Sequence, residues 1–331
     1  MIAAKAKRIL WSMLKLGAAV GLIGWMAASG KLEISKLSIL FTRYDVFTAN
    51  ILIWFFVSVM LGSLRWYVLL HGIGLLPTYL RTCQLQLIGF FFNSAMPGAV
   101  GGDLIKAYFI YREQGSQQRT PALMSILADR LTGLFGLFII GLVAISFDFG
   151  TYFDDRLMAP LVWFVVGMTA VFCVATTSVL IDYNNDPFDR LLRRGVPGFS
   201  LLLKLYSAIR LYRHEKKYLV YAMLLTFTMQ GVSLVYFVFL AKILAVGDVQ
   251  FGKVAAIFPI GVTATAIPFA PGGLGIGHAA FDNLFHRIQL AGGATVFNVF
   301  CLGQLALNLL GAIPYLMTRS NVPSEATLRA D

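Results

Sequence analysis

Charged residues are scarce in this sequence. Asp, Glu, Lys and Arg make up 13% of the 331 residues, whereas 58% of the residues are apolar. A soluble fold of this length cannot cover so much apolar surface with so few charged side chains, and the same composition excludes a disordered chain. With a mean hydropathy of +0.75, the composition predicts an all-α polytopic membrane protein, because helices satisfy their own backbone groups in lipid.

Cysteine and histidine are also few. Cys83, Cys173 and Cys301 lie singly in apolar runs, without metal-binding spacing or an even disulfide framework, and the four histidines are dispersed except for His278 and His286. We therefore expect no metal, no cofactor and no enzyme activity. The net charge of +11 would suit a nucleic-acid partner. In a membrane chain it reflects basic cytoplasmic loops instead, so no nucleic acid is predicted.

Six apolar runs approach or exceed the roughly 20 residues that cross about 30 Å of hydrocarbon. The first could be mistaken for a signal peptide, but Lys15 lies inside it and no clean cleavage site precedes Lys31, so we interpret it as a retained anchor. The predicted spans are 9–28, 46–64, 122–147, 159–181, 218–244 and 294–317.

Two further apolar stretches, 82–111 and 254–285, are interrupted by proline and glycine at 96–103 and 268–277. Neither half of either stretch is long enough to cross alone. Proline and glycine open the backbone hydrogen-bond ladder, which survives at membrane depth only inside protein or beside a wet cavity. We predict two re-entrant hairpins of half-helices. The alternative is an ordinary kinked span at each position, which gives eight spans.

The distribution of Lys and Arg predicts a cytoplasmic N-terminus and a cytoplasmic C-terminus, because most basic residues between the spans then face the cytoplasm. With six spans, the two hairpins enter the membrane from opposite sides. The order span, hairpin, span therefore occurs twice in opposite orientation. We predict an inverted repeat, with halves 46–147 and 218–317, in a single membrane domain over 1–331. Broken helices in inverted repeats are typical of secondary transporters.

The segment 182–217 between these halves is basic, and apolar residues recur in it at helical spacing, among them Leu205, Ile209 and Tyr212. This pattern predicts an amphipathic helix on the inner leaflet, attracted by anionic lipid. The alternative is a connector that follows the positive-inside bias.

Ionised residues inside the apolar segments are candidate site residues, because a charge in hydrocarbon is costly unless paired or hydrated. Asp103 begins the half-helix after the first break, where it either caps the helix or binds a ligand. Lys106 is spaced to pair with it. Asp129 and Arg130 diverge by about 100° on a helix. We expect Arg130 to pair with Asp103 across helices, either as a structural lock or as one that opens during transport.

Two more groups stand out near span ends. Arg65 follows the second predicted span beside Trp66 and Tyr67, which suits an interfacial anchor or a ligand for phosphate. His278 and Asp282 share one face of the second half-helix at i, i+4 spacing. Such a pair can pass a proton near neutral pH and couple transport to a proton gradient. The alternative is a polar face turned to water.

Four motifs carry a resemblance to a known family. They are Arg65-Trp66; Asn93 with Pro97, Gly98, Gly101, Gly102 and Asp103; Ser125 with Asp129-Arg130; and Pro271-Gly272-Gly273-Leu274-Gly275. Over about residues 10–317 the chain resembles the flippase-like family, also called the lysylphosphatidylglycerol synthase transmembrane family. That family includes the membrane half of the multiple peptide resistance factor. Its members often carry a glutamate shortly after the second break, where this chain has His278.

The resemblance implies a flippase of the bacterial inner membrane that moves an anionic, aminoacylated or glycosylated lipid, polyprenyl-linked lipids included, between leaflets. The motif residues and Lys106 would then bind substrate, with Arg65, Lys106 and Arg130 on the phosphate and Asp103 and Asp129 holding these cations. The candidate partners are a separate lipid synthase or glycosyltransferase and a second copy of the chain.

Two other functions remain open from the sequence. One is a membrane enzyme that acts on a lipid phosphate or sugar, with His278 and Asp282 as an acid–base pair. The other is a non-catalytic membrane partner of a separate lipid synthase.

Overall fold

The computed structural model describes residues 44–95, 101–114, 118–146, 156, 159–180, 199–265 and 276–318. The predicted span 9–28 lies outside the described residues. So do the parts of the two breaks that contain Pro97 and Gly98 in the first, and Pro271, Gly272, Gly273 and Gly275 in the second.

Within the described residues the chain is helical, with one isolated antiparallel bridge between Val246 and Ala291. We number the helices in chain order. They are α1 (Tyr44–Gly72), α2 (Tyr79–Ala95), α3 (Gly101–Gln114), α4 (Arg119–Ser146), α5 (Ala159–Leu180), α6 (Phe199–Arg210), α7 (Lys216–Leu244), α8 (Phe251–Thr265), α9 (Ile276–Arg287), α10 (Gly293–Leu310) and α11 (Ala312–Thr318).

Five helical segments in the described part of the chain are long and apolar enough to cross a membrane: α1, α4, α5, α7, and α10 with α11. They coincide with five of the six predicted spans. The prediction for 46–64 was too short, because α1 continues to Gly72. Trp66, Leu69 and Leu70 are fully buried in this extension, so packing against the bundle keeps the chain helical beyond the point where Arg65 was expected to end it.

A π-helical segment, Phe55–Leu61, interrupts α1. Each π turn takes up one residue more than an α turn, so it changes the direction in which the following side chains point. Before the segment, Trp54 donates to the backbone carbonyl of Phe300 in α10. After it, Arg65 and Trp66 reach α4. The π segment therefore lets one helix present polar side chains to two different neighbours.

Helices α2 and α3 form an antiparallel pair. The Asn93 side chain contacts Gly102, Gln86 contacts Lys106, and Arg81 near the start of α2 binds Glu113 near the end of α3. With 17 and 14 residues, the two helices are about 25 and 21 Å long at 1.5 Å per residue. Both are shorter than the roughly 30 Å hydrocarbon core.

Helices α8 and α9, of 15 and 12 residues, pair in the same way. A Cβ atom on Gly261 would lie 2.4 Å from the Phe281 ring, and one on Gly277 would lie 2.9 Å from Thr265. The later residue of α8 therefore meets the earlier residue of α9, as in an antiparallel hairpin.

The two hairpins start at opposite ends of the bundle, because α1 and α7 are antiparallel. Gly72, at the end of α1, lies against Tyr218 at the start of α7, and Arg65 reaches Thr226 further along α7. Hairpin α2–α3 follows the end of α1, whereas α8–α9 follows the far end of α7. The number of spans and the inverted repeat stay predictions.

Helix α6 lies within the segment 182–217, where apolar residues at helical spacing predicted a helix. It packs against α4 and α5. Tyr206 and Ile209 of α6, and Tyr212 just after it, are buried in the protein. The attachment of this segment to the inner leaflet stays a prediction.

The larger core lies between α4 and α7–α10 and is rich in aromatic residues. The ring of Phe237 is 4.7–5.2 Å, centroid to centroid, from those of Phe258, Phe281 and Phe300. A smaller core around Trp66 and Leu85 joins α1, α2, α3 and α4. Polar side chains are concentrated beside this smaller core.

Candidate functional site

Arg65 and Asp129 form an ion pair inside the bundle. Arg65 Nε donates to Asp129 Oδ1 at 2.7 Å, and the two side chains are only 11% and 10% exposed. Arg65 Nη1 also donates to Thr226 Oγ1 at 3.3 Å, and the guanidinium lies against Gly133. Of the two roles predicted for Arg65, the burial of its side chain disfavours the interfacial anchor, because α1 extends beyond Arg65 and carries it into the protein; the phosphate ligand stays a prediction.

Asp103 is bound by two cations. Arg130 Nε donates to Asp103 Oδ2, and Lys106 Nζ lies 3.6 Å from Asp103 Oδ1. Both pairings were predicted from the sequence and are confirmed. The two cations differ in burial, since the Lys106 side chain is 5% exposed and that of Arg130 is 40% exposed. Arg130 is therefore the cation of this group that a ligand can reach from outside.

Lys106 is held by three kinds of contact. Its Nζ donates to Gln86 Oε1 at 2.8 Å and lies 4.3 Å from the centroid of the Trp66 ring. Trp66 Nε1 in turn donates to Ser125 Oγ at 3.2 Å. The Lys106 stem crosses Gly89, where a Cβ atom would come within 2.6 Å of it. The two groups of charges involve consecutive residues of the same helices, because Trp66 follows Arg65 in α1 and Arg130 follows Asp129 in α4.

The tip of hairpin α2–α3 depends on a close backbone approach. A Cβ atom on Gly102 would lie 1.8 Å from the carbonyl oxygen of Gly89, so only glycine fits there. The Gly102 backbone N–H donates to Asn93 Oδ1 at 2.8 Å. Asn93 thus satisfies one backbone donor in the first turn of α3, and the Asp103 carboxylate serves the two cations.

We call Arg65, Asp103, Lys106, Asp129 and Arg130 the ion cluster. Its members come from α1, α3 and α4, three helices that the smaller core holds together. Three of the five side chains are cationic and two are carboxylates, so the cluster carries one positive charge in excess. A single negative charge would balance it. A charge inside a membrane protein needs compensation. The excess positive charge therefore favours the binding of an anionic group at the ion cluster.

The second hairpin has a different chemistry. The His278 ring lies edge-on to Phe297, with centroids 5.1 Å apart. Asp282 Oδ2 is 3.8 Å from His286 Nε2, one turn further along α9, and both of these side chains are exposed. The exposure favours the interpretation of a polar face turned to water, and proton coupling by His278 and Asp282 stays a prediction. Among the described residues no group of three or more His, Cys, Asp or Glu is arranged to hold a metal ion.

Sequence reasoning missed Thr226 and Gln230, two polar residues of α7 that border the cluster. Thr226 accepts from Arg65, and Gln230 donates to the backbone carbonyl of Gly133 at 3.3 Å. Their spacing of one helical turn within an apolar span was the available signal, because polar side chains in such spans commonly face other helices.

A family model described as the lysylphosphatidylglycerol synthase TM region matches residues 12–310, which include the whole ion cluster and both hairpins. The chain belongs to this family. The resemblance expected from the sequence is thereby confirmed, and with it a multi-pass membrane protein.

Individual relatives of this lysylphosphatidylglycerol synthase TM family member are membrane proteins too. The UPF0104 membrane protein PH1989 of Pyrococcus horikoshii is 24% identical over 313 residues, covering 87% of this chain and 92% of the relative. A UPF0104 membrane protein of Methanothermobacter thermautotrophicus is 25% identical over 241 residues, covering 66% of this chain and 69% of the relative. No solved structure matches the chain.

Proposed function

We propose that this protein transports a lipid, moving an anionic, aminoacylated or glycosylated lipid, polyprenyl-linked lipids included, between the leaflets of a membrane without changing it chemically. The observation that carries the proposal is the ion cluster, which lies between helices long enough to span a membrane and beside a broken pair of short helices. Ionised groups in such positions mark pathways for polar substrates. Membership of a family named for a lipid synthase supports a lipid as the substrate.

The ion cluster suits a phosphate headgroup for two reasons. Its excess positive charge matches the single charge of a phosphodiester. The exposed Arg130 offers a planar guanidinium, which binds phosphate oxygens in a bidentate manner. An incoming phosphate would compete with Asp103 for Arg130, and an amine on an aminoacylated headgroup would then take the place of the guanidinium beside Asp103. The acyl chains would stay in the surrounding lipid.

We further infer the inverted repeat, and contacts between the halves support it. In both α1 and α7, one polar side chain packs against a glycine of a distant helix. A second side chain, one turn later, donates a hydrogen bond to a backbone carbonyl of that same distant helix. The spacings are the same in both cases. The equivalent contacts are Asn50–Gly303 with Thr226–Gly136, and Trp54–Phe300 with Gln230–Gly133.

An inverted repeat explains how a headgroup could cross. Hairpins that open from opposite ends of the bundle would expose the same polar path first to one leaflet and then to the other. From the distribution of Lys and Arg we infer that both termini lie in the cytoplasm, and from the family resemblance that the membrane is the bacterial inner membrane. A separate lipid synthase or glycosyltransferase, or a second copy of the chain, would be its protein partner.

The decisive experiment measures movement of fluorescent phosphatidylglycerol in liposomes that contain the purified protein. We expect the wild-type protein to accelerate movement between leaflets, and Arg130→Gln and Asp103→Asn to slow it at least about tenfold, the effect of losing one charge-assisted hydrogen bond. The matched control is Arg112→Gln in α3, where Arg112 contacts the exposed Tyr108.

Three outcomes would contradict the proposal. Movement at the rate of protein-free liposomes would exclude transport by this chain alone. Chemical change of the lipid without movement would favour the membrane enzyme. Activity that appears only after a lipid synthase is added would favour the non-catalytic partner.

A further inference from the structure

The two hairpins share one pattern of contacts, although their side chains differ. In each, a glycine of the first helix faces a large side chain of the second, and a glycine of the second faces a small polar side chain of the first. Within each of the four helices, the two contacting positions are four residues apart. The contacts are Gly89–Lys106 and Gly102–Asn93 in α2–α3, and Gly261–Phe281 and Gly277–Thr265 in α8–α9.

The helix after each hairpin continues the match. Asp103, which follows Gly102, meets Arg130 of α4. His278, which follows Gly277, meets Phe297 of α10. Arg130 stands three residues before Gly133, and Phe297 stands three residues before Phe300; these are the two carbonyl positions already found to be equivalent. Two independent sets of contacts therefore assign the same register to α4 and α10.

This register pairs every polar residue at the first hairpin tip with a partner at the second. At the described positions of the second hairpin that match these residues, the close packing is kept and no side chain carries a permanent charge. Both Lys106 and Arg130 are replaced by phenylalanine. The pairs are Asn93 with Thr265, Asp103 with His278, Lys106 with Phe281, and Arg130 with Phe297.

We propose that Thr265, His278 and Phe297 form a second headgroup site at the tip of α8–α9. It binds hydroxyl and amine groups through the Thr265 hydroxyl and the His278 imidazole, and it has no fixed charge to retain a phosphate. Thr265 and His278 are both half-buried, so a ligand can reach them. The Thr265 hydroxyl donates to the Val262 carbonyl at 2.6 Å, which leaves its lone pairs free to accept. This proposal rests on the proposed function.

The difference between the two sites has a consequence for transport. A phosphate is attracted by the positive excess of the ion cluster, and that attraction is strong where water is excluded. At the second tip the attraction is absent, so the headgroup leaves this site more easily. The first site captures the lipid and the second releases it.

Two histidines of α9 allow a matched test. We expect His278→Ala to slow movement of fluorescent phosphatidylglycerol about five- to tenfold, as for one lost hydrogen bond. His286→Ala, which changes an exposed histidine on the same helix, should leave the rate at the wild-type value. If the wild-type protein moves the lipid and the two variants behave alike, the second site is overturned and the proposed function survives.

A second measurement does not depend on transport. The variant Phe297→Arg installs at the second tip the cation that Arg130 supplies at the first, and it adds one positive charge because no carboxylate is introduced with it. We expect the purified protein to retain several times more phosphatidylglycerol, quantified by mass spectrometry, and to move it more slowly. His286→Arg, which adds the same charge at an exposed position of α9, is the control, and size-exclusion chromatography checks folding. Unchanged lipid retention in folded Phe297→Arg would overturn the second site, and a wild-type protein that does not move lipid would count against the proposed function only.

Discussion

The two carboxylates of the ion cluster differ in the number and the burial of the cations that they bind. Asp129 serves one cation, Arg65, and both side chains are buried. Asp103 serves two cations, one buried and one substantially exposed. Because a buried charge that loses its partner cannot be rehydrated, the effect of a substitution depends on the burial of the partner left behind. Arg65–Asp129 should therefore stabilise the fold, whereas the exposed Arg130 is the cation that should exchange Asp103 for another anion.

We expect Asp129→Asn to destabilise the protein by about 3–5 kcal/mol, the usual effect of removing one partner of a buried ion pair. The double variant Arg65→Met/Asp129→Leu should lose much less stability, because no charge is left uncompensated. Thermal unfolding in detergent of Arg65→Met, Asp129→Leu and the double variant measures the coupling. Additive losses would mean that the pair contributes nothing as a pair.

Asp103 allows its two cations to be compared directly. Asp103→Asn leaves Lys106 buried and Arg130 near solvent, so adding Lys106→Met should restore stability more than adding Arg130→Gln does. We expect a difference of at least about 1 kcal/mol, since only the buried ammonium carries a desolvation penalty. Thermal unfolding of the two double variants tests this. Equal recovery would show that Arg130 is as dependent on Asp103 as Lys106 is.

The ion pairs of Asp103 could be predicted from the sequence, whereas the pair of Arg65 with Asp129 could not, for a physical reason. Lys106 was predicted to pair with Asp103 from their spacing on one helix, and Arg130 was expected to reach Asp103 across helices; both pairs are present. The partner of Arg65 was not predicted, because it depends on how α1 is rotated about its axis. The π-helical segment sets that rotation, and the apolar run that contains it carries no signal of an extra residue per turn.

At the scale of helices, the hairpin α2–α3 is built on the contact between Gly89 and Gly102. The sequence predicted a broken helix from the density of proline and glycine, and the structure gives separate helices on either side of that break. It could not predict which glycines touch, because this depends on the antiparallel register of α2 and α3. That register is fixed by contacts such as Arg81–Glu113.

Gly102→Ala should separate the two helices of this hairpin, since the new methyl group would lie 1.8 Å from the Gly89 carbonyl oxygen. We expect a loss of about 1–3 kcal/mol, typical of overpacking, together with slower lipid movement. The matched control is Gly231→Ala in α7, where nothing lies within 4 Å of the added atom. That substitution should be neutral or stabilise the helix by up to about 1 kcal/mol. Similar melting temperatures for both variants would contradict the close approach.

At the scale of the whole molecule, two sets of matching helix contacts surround side chains of different charge. The contacts of α1 with α10 and of α7 with α4 match residue by residue. The first tip holds Asp103 and Arg130, whereas the second holds His278 and Phe297. A transporter with identical halves would bind its substrate equally from both leaflets. If this protein transports lipid as proposed, the difference between the two hairpins predicts that the two leaflets are not equivalent for it.

The arrangement of the halves also decides the topology, which can be tested with single cysteines. In a variant without Cys83, Cys173 and Cys301, a cysteine is introduced by one of three substitutions: Leu76→Cys before the first hairpin, Lys204→Cys in α6, or Val246→Cys before the second hairpin. All three positions are exposed. A thiol reagent that cannot cross the membrane then labels each protein from one side of oriented vesicles.

Six spans and eight spans give different labelling patterns. If both hairpins are re-entrant, the cysteines at 76 and 204 face the same side and the one at 246 faces the other. If both cross the membrane, 76 and 246 share a side and 204 is opposite, because each hairpin then reverses the chain once more. We expect the first pattern, since the contact of Arg81 with Glu113 brings both ends of α2–α3 to the same side. The second pattern would remove the re-entrant hairpins, and with them the path proposed for the headgroup.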